Sequence, residues 1–332
     1  MRKALKYLYH NIICALALTC GLDNWLLSRS TKKRLIIMYH GVRSGRLRIN
    51  GRHITAKHFE KQLQYFKRKF SVVPLDQLCE MKFAGVVPEK HAIALTFDDG
   101  FVNNLTVALP LLEKYGMPAT FFICTAAISD PNYAHPTDRV DLVRASAAPA
   151  AIKINGKEFF RKAHNVVGAN NEHAYSYLNH LPYSQWLTAN HDLAGQLNDK
   201  IVTEYAEVYI LLNNKQVGEL VRNNLIKTAS HSHHHIRFTS LSQAEADFQL
   251  KESKAILEGY DKAVDAIAFP YGDYDGATIA AARKHGYRYL IAGGHVDPPF
   301  DNDVFPRIGV LDGAGFSYTM LMISNAFKRF GF

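Results

Sequence analysis

The sequence predicts an α/β fold built from βαβ units around a parallel sheet or barrel, and three observations carry that prediction. Two continuous apolar runs, residues 92–97 (AIALTF) and 118–123 (PATFFI), have the pattern of strands buried on both faces. Apolar residues at helical spacing fill the stretch between them, giving a strand–helix–strand rhythm. These runs and others end on polar or glycine-rich residues, as strands do where a barrel gathers its functional groups.

The elements follow in order. Residues 1–33 form an N-terminal amphipathic or signal-like segment. Arg2, Lys3 and Lys6 precede an apolar stretch, Ile12 to Leu18, shorter than the ~18 residues a membrane span needs. It reads as a signal h-region with Ala15-Leu16-Ala17 as a weak cleavage site, or as an amphipathic helix on a membrane surface or on the barrel. Leu26 and Leu27, then Arg29, Lys32, Lys33 and Arg34, prolong the amphipathic pattern and favour the surface helix. Peripheral membrane contact is therefore expected through this segment. A cytoplasmic or membrane-associated location is expected ahead of an exported one.

The main domain is expected over residues 34–310. Residues 35–39 (LIIMY) read as a strand stopping at His40-Gly41, and residues 58–66 as a helix. Residues 72–75 read as a short strand and turn. The 92–97 strand ends on Asp98-Asp99-Gly100; a helix over 104–115 closes at Gly116, before the 118–123 strand. The rhythm then breaks, and residues 126–227 read as an insertion serving as lid, substrate wall or structural padding. Asn155-Gly156 between apolar residues predicts a hairpin there. Trp186, Tyr175, Tyr177 and Tyr183 suit a small core better than a sugar-stacking surface. The rhythm resumes with a helix over 241–257, opened by Ser242 and Glu245 as a capping box. Strands at 266–270 and 287–291 flank a helix at 277–285, a last strand covers 304–310, and residues 311–332 read as a C-terminal tail.

Composition sets outer limits. The apolar share is 48% and the charged share 21%, which excludes disorder and a coiled coil. The net charge of +9 suits anionic partners such as acidic glycans or lipid head groups. No basic run with interleaved aromatics is present, so no nucleic-acid partner is expected. Cys14, Cys20, Cys79 and Cys124 are too widely spaced for a zinc ribbon or C-x-x-C pair and read as small buried hydrophobes.

Chemistry concentrates at the strand ends. Neighbouring carboxylates Asp98 and Asp99 diverge at such an end, so one can bind a metal while the other faces a substrate water. His231 and His235, four apart, would share one side of a helical turn, as a metal pair requires. Two histidines and one carboxylate leave coordination positions open for chemistry. Such a divalent ion lowers the pKa of a coordinated water, a free carboxylate takes its proton, and histidine suits the general acid. His233 and His234 take no role beyond the surface or support.

Three motifs resemble the polysaccharide deacetylase family, the NodB-homology or carbohydrate esterase family 4 enzymes. Thr96-Phe97-Asp98-Asp99-Gly100 matches the first, His231-Ser232-His233-His234-His235 the second, and Ala268-Phe269-Pro270-Tyr271-Gly272 the third. The resemblance implies a deformed (β/α) barrel of about seven parallel strands, carrying the roughly hundred-residue insertion. It implies Asp98 as general base, and Asp99, His231 and His235 as ligands of a divalent metal, usually zinc, with cobalt or nickel accepted. It also implies an oxyanion and substrate-binding region at Pro270, Tyr271 and Gly272.

Two departures stand out. The arginine that orients the base in the third motif is replaced by Ala268, and Arg307 is the candidate to reach in instead. The late histidine motif is missing, while Met38-Tyr39-His40-Gly41-Val42 resembles the early histidine of a poly-N-acetylglucosamine-deacetylating subgroup, implying His40 as the acid. The expected function is removal of acetyl groups, N-acetyl first, from a cell-surface or exported polysaccharide or its precursor. A catalytically impaired glycan-binding relative and a hydrolase of a non-sugar amide are the alternatives.

Overall fold

The computed structural model describes every residue except 1, 46–48, 50, 131, 147–149, 163–164, 294–303 and 314, and the backbone alone for 2–8. Seven parallel strands form its centre: β1 Arg34–Tyr39, β2 Ala92–Phe97, β3 Ala119–Ile123, β4 Ile226–Ser230, β5 Ala263–Ala268, β6 Tyr289–Gly293 and β7 Val304–Gly309. Their order is β1-β7-β6-β5-β4-β3-β2, and β2 pairs back onto β1, so the ring closes. A two-residue strand, Ser71–Val72, pairs with β2 outside the ring. This is the deformed barrel that the motifs imply.

Alternation along the strands decides which side chains fill the ring. Ile36, Ala92, Ala94, Phe122, Ala229, Ala266, Ala268, Tyr289, Ile291 and Phe305 pack in one cluster drawn from all seven strands. Half of these are alanine, which suits the narrow interior of a seven-stranded ring. The alternate residues, among them Leu35, Ile37, Leu95, Phe97 and Phe121, pack outward against Phe59, Leu63 and Phe66 of helix Ala56–Lys69 and Ile323 and Phe327 of helix Phe316–Phe330. Both faces of each strand are thus apolar, the origin of the continuous runs in the sequence.

The helices start where local chemistry dictates. Ser242 caps Gln243–Glu258 as a capping box with Glu245, and Asp275 caps Gly276–Lys284. Several elements differ from expectation. The strand and turn read at 72–75 reduce to the short strand Ser71–Val72, followed by helix Leu75–Phe83. The helix expected over 104–115 opens with a π turn, Asn104–Ala108. Residues 311–332 contain helix Phe316–Phe330, whose face of Met320, Ile323, Ala326 and Phe327 is buried.

Between β3 and β4 the chain builds a small core of its own, with Ile152, Ile154, Phe159, Leu178 and Leu193 around Trp186, and Tyr175, Tyr177 and Tyr183 packed against it. Asn155 and Gly156 take φ of 51° and 76°, the left-handed pair a two-residue hairpin turn requires, and a third antiparallel strand, Asn165–Gly168, extends the hairpin. This segment is tied to the barrel at the loop after β2: Leu212 N–H donates to Gly100 O at 2.8 Å, and Val102 N–H to Ile210 O at 2.8 Å.

Candidate active site

The inward rows of the barrel continue past the carboxyl ends of the strands. Ala92, Ala94 and Thr96 lead to Asp98; Ile36 and Met38 lead to His40; Ala229 leads to His231; Phe305 leads to Arg307. Register sets their height. Tyr39 stands opposite Phe97, and Asp98 N–H donates to Tyr39 O at 2.9 Å, which brings His40 and Asp98 to one level.

Arg307 is fully buried and pairs with Asp98 through both nitrogens of its fork, at 2.6 and 2.5 Å; its Nη1 also reaches Thr96 Oγ1 at 3.4 Å. Its guanidinium lies 5.3 Å from the centroid of the Phe122 ring. Two-point binding fixes the carboxylate plane, which one hydrogen bond would not do. The space for this side chain comes from Gly293, where a Cβ would lie 2.6 Å from Arg307 Cγ.

Asp99 turns away from Asp98. Its φ of 72° is left-handed, and its Oδ1 faces imidazoles: His235 Nε2 at 3.3 Å and His231 Nε2 at 3.5 Å. His231 Nδ1 is held by Ala268 O at 2.7 Å, which orients Nε2 toward the carboxylates. The 231–235 segment is a loop and not the helical turn its spacing suggested. Ser232 and His235 have φ of 63° and 53°, and Ser232 Oγ accepts from His235 N–H at 3.0 Å. That arrangement brings the two rings to 4.8 Å. His233 Nδ1 bonds Thr125 Oγ1 at 2.9 Å and His234 Nδ1 bonds Tyr183 Oη at 2.9 Å, so both support the loop from behind.

Charge states follow from burial and neighbours. Burial alone would raise Asp99, but His235, His231, His40 and His135 around it hold it well below the carboxylate range. Burial and the neighbouring His135 push His235 well down, while the two aspartates raise His231 against its burial. Burial also lowers His40, opposed by Asp99 and Asp98. Asn104 Nδ2 holds the His40 carbonyl at 2.8 Å, leaving the ring at the carboxylate pair with its Nδ1 free of hydrogen bonds.

Asp99 Oδ1 and His235 Nδ1 are buried without a hydrogen-bond partner. Buried polar atoms are rarely left so, and a carboxylate oxygen among imidazoles is a donor set that suits a divalent cation. The residues present therefore fit the metal that the motifs imply.

Tyr271 also arrives at this face, its ring 4.8 Å from His235 and stacked under Arg237 at 4.5 Å, with a left-handed φ of 60°. Pro270 and Gly272 complete its 3-10 turn. Gly272 is obligatory, because a Cβ there would meet Gly293 O at 2.4 Å.

Sequence reasoning missed four groups. Arg52 bonds Asp99 Oδ2 at 3.2 Å and pairs closely with Asp138 of the insertion. His135, also from the insertion, stands with its Nε2 3.9 Å from Asp99 Oδ1. Asn103 accepts from Val42 N–H at 3.2 Å and donates to Glu207 O at 2.8 Å, joining the loop after β1 to the insertion. His53 meets the Phe101 ring edge to face, with centroids 4.5 Å apart, and contacts Asn103 Nδ2 at 3.0 Å. Only the tandem Asn103-Asn104 just after Asp98-Asp99-Gly100 offered a local signal.

Comparisons with known proteins agree with this geometry. A family model described as polysaccharide deacetylase matches residues 85–290. The chain is 24% identical over 316 residues to the poly-beta-1,6-N-acetyl-D-glucosamine N-deacetylase of Staphylococcus epidermidis, covering 88% of this chain and 84% of that protein. It is 20% identical over 266 residues to YxkH of Bacillus subtilis, named for the same family, covering 80% of this chain and 66% of YxkH, just under two thirds. The solved structure of Streptococcus pyogenes deacetylase PplD in complex with acetate superposes with a TM-score of 0.56 at 17% identity, over 91% of this chain and 99% of that one, a likeness of fold.

Proposed function

The chain belongs to the polysaccharide deacetylase family, and from that premise we propose that it is a metal-dependent hydrolase removing N-acetyl groups from a polymer of N-acetylhexosamine or its precursor. The observation that carries this reading is the two-sided carboxylate pair, Asp98 clamped by Arg307 and Asp99 facing histidines, at one end of the barrel. The name of the Staphylococcus epidermidis relative supports a β-1,6-linked poly-N-acetylglucosamine as the substrate class. The alternative of an impaired binding relative arose from Ala268, and the Asp98–Arg307 clamp weighs against it.

The residues divide the work. Asp99, His231 and His235 would hold the ion, most suitably zinc, with cobalt or nickel as substitutes. When bound, such an ion supplies Lewis acidity at the acetyl carbonyl and makes water a stronger acid. Asp98 accepts the proton of the attacking water, with Arg307 holding its plane. His40, level with Asp98, delivers a proton to the departing amine nitrogen, which yields acetate and a free amine. The turn Pro270-Tyr271-Gly272 lines the side where the carbonyl oxygen gains charge. Burial of Asp98, Asp99 and His231 limits water around these groups and strengthens each interaction.

Location and membrane contact belong to the same proposal. The N-terminal segment carries exposed apolar side chains beside Arg29 and Lys32, which supports a membrane-associated enzyme. The function is tested by acetate release from β-1,6-linked N-acetylglucosamine oligomers, with and without chelator. Chelator-sensitive release that Asp98→Asn abolishes is expected. No release from these oligomers by zinc- or cobalt-loaded protein would sink the reading.

A further inference from the structure

We propose that His135, contributed by the insertion, is an additional protein ligand of this metal site, making three imidazoles and one carboxylate. The inference rests on the metal-site reading above and extends it to a residue outside the three motifs.

The geometry is specific. Asp99, His135 and His235 each offer one ligand atom, and these atoms all lie within 4.8 Å of one another. His135 Nε2 is 3.9 Å from Asp99 Oδ1, and its ring centroid is 4.5 Å from that of His235. Two nitrogen or oxygen ligands on one ion with bonds of about 2.1 Å lie roughly 3.0–4.2 Å apart, depending on their angle. The spacings of 3.3, 3.5 and 3.9 Å from Asp99 Oδ1 to His235, His231 and His135 all fall in that range. His231 is not among those mutually close atoms; it reaches the group through Asp99 Oδ1, and its Nε2 also faces Asp98 Oδ2 at 3.7 Å.

A second observation is independent of distance. The His135 ring is 1% exposed, and neither of its nitrogens has a hydrogen-bond partner. A buried polar atom left unpaired is destabilising, and a chain that folds around two of them in one ring needs a compensating partner. Asp99 Oδ1, equally unpaired, is in front of it. The backbone presents the ring deliberately. His135 precedes Pro136, which holds it extended at φ −64° and ψ 134°, and its carbonyl accepts from Asp138 and Arg139 N–H to start helix Pro136–Ala145.

This ligand set has a chemical consequence. Four protein ligands would close a tetrahedral site, so reaction there requires an ion that accepts five or six. The insertion thereby ties its helix Pro136–Ala145 to the loaded state.

X-ray absorption on the Co²⁺-loaded wild-type chain counts the imidazoles without any substitution. Three are expected, and two would overturn the proposal. Equilibrium competition with a chromophoric chelator then compares wild type with His135→Ala and the better-filling His135→Gln. Each variant should bind Co²⁺ at least tenfold more weakly, with stronger visible d–d absorption as the coordination number falls. Affinity and spectrum unchanged in a folded variant would overturn it. A wild-type chain that binds no Co²⁺, Ni²⁺ or Zn²⁺ would overturn both this inference and the reading beneath it.

Discussion

Asp98 and Asp99 differ by one position and by one backbone angle, and that difference separates their chemistry. Asp98 follows the inward row of β2 into Arg307; Asp99, left-handed, swings to the imidazoles. Breaking the clamp by Arg307→Met strands a buried carboxylate, which costs about 3–5 kcal/mol where the pair is fully desolvated. Acetate release should fall at least a hundredfold, with Co²⁺ affinity nearly kept; Arg307→Lys should recover only part, since an ammonium cannot bind two oxygens in one plane. Undiminished turnover in Arg307→Met would refute the positioning role. At this scale much was legible. The acids and the His231/His235 pair are marked by their motifs, and Ala268 in place of arginine pointed to Arg307. His135 and Arg52 lie in stretches without periodicity, and only the folded chain brings them to Asp99.

Elements were legible where one physical period dominates and obscure where conformation is local. Apolar runs marked β1, β2 and β3, and the Ser242/Glu245 box marked its helix to within a residue or two. The loop 231–235 was not legible, because four-residue spacing is shared by a helical turn and by a loop with two left-handed residues. Its shape depends on Ser232, whose hydroxyl accepts from His235 N–H, and on Gln249, whose Oε1 accepts from His234 N–H at 2.8 Å. Ser232→Ala removes the first of these. We expect about 1 kcal/mol of lost stability in urea titration and roughly tenfold weaker metal binding, as for other residues that orient ligands. Full metal affinity in Ser232→Ala would mean that the two left-handed residues hold the loop unaided.

At the scale of the molecule, the sequence placed the barrel and left its two chain ends undefined, because amphipathic segments do not reveal what they pack on. Helices Arg2–Thr19 and Leu22–Ser28 dock against Phe316–Phe330 and the barrel through Cys14, Leu27 and Asp23, all buried. Burial would raise Asp23, but hydrogen bonds from Tyr65 at 2.6 Å and from Lys69 hold it below the usual value. A depressed carboxyl stabilises above its unfolded pKa of about 3.9 and loses that contribution as pH falls through the folded value. Below about pH 4 this segment should therefore lose protection, its amide exchange rising relative to the intrinsic rate at each pH, and Asp23→Asn should remove that pH dependence of protection. The outward face makes the last prediction. Tyr9, Ile12, Ile13 and Leu16 recur at helical spacing on one exposed stripe, and Trp25 is exposed on the next helix near Arg29 and Lys32. Among the described residues no single helix is long and apolar enough to cross a bilayer, and the two helices bend by 64° at their junction. An apolar stripe beside cations, on a chain of net charge +9, matches a helix lying in the headgroup region of an anionic membrane. The chain should sediment with vesicles containing phosphatidylglycerol, less so as salt rises, and Ile13→Asp with Leu16→Asp should release it while acetate release from soluble oligomers stays unchanged. Equal recovery in the supernatant with and without vesicles would instead assign this stripe to contact with another protein.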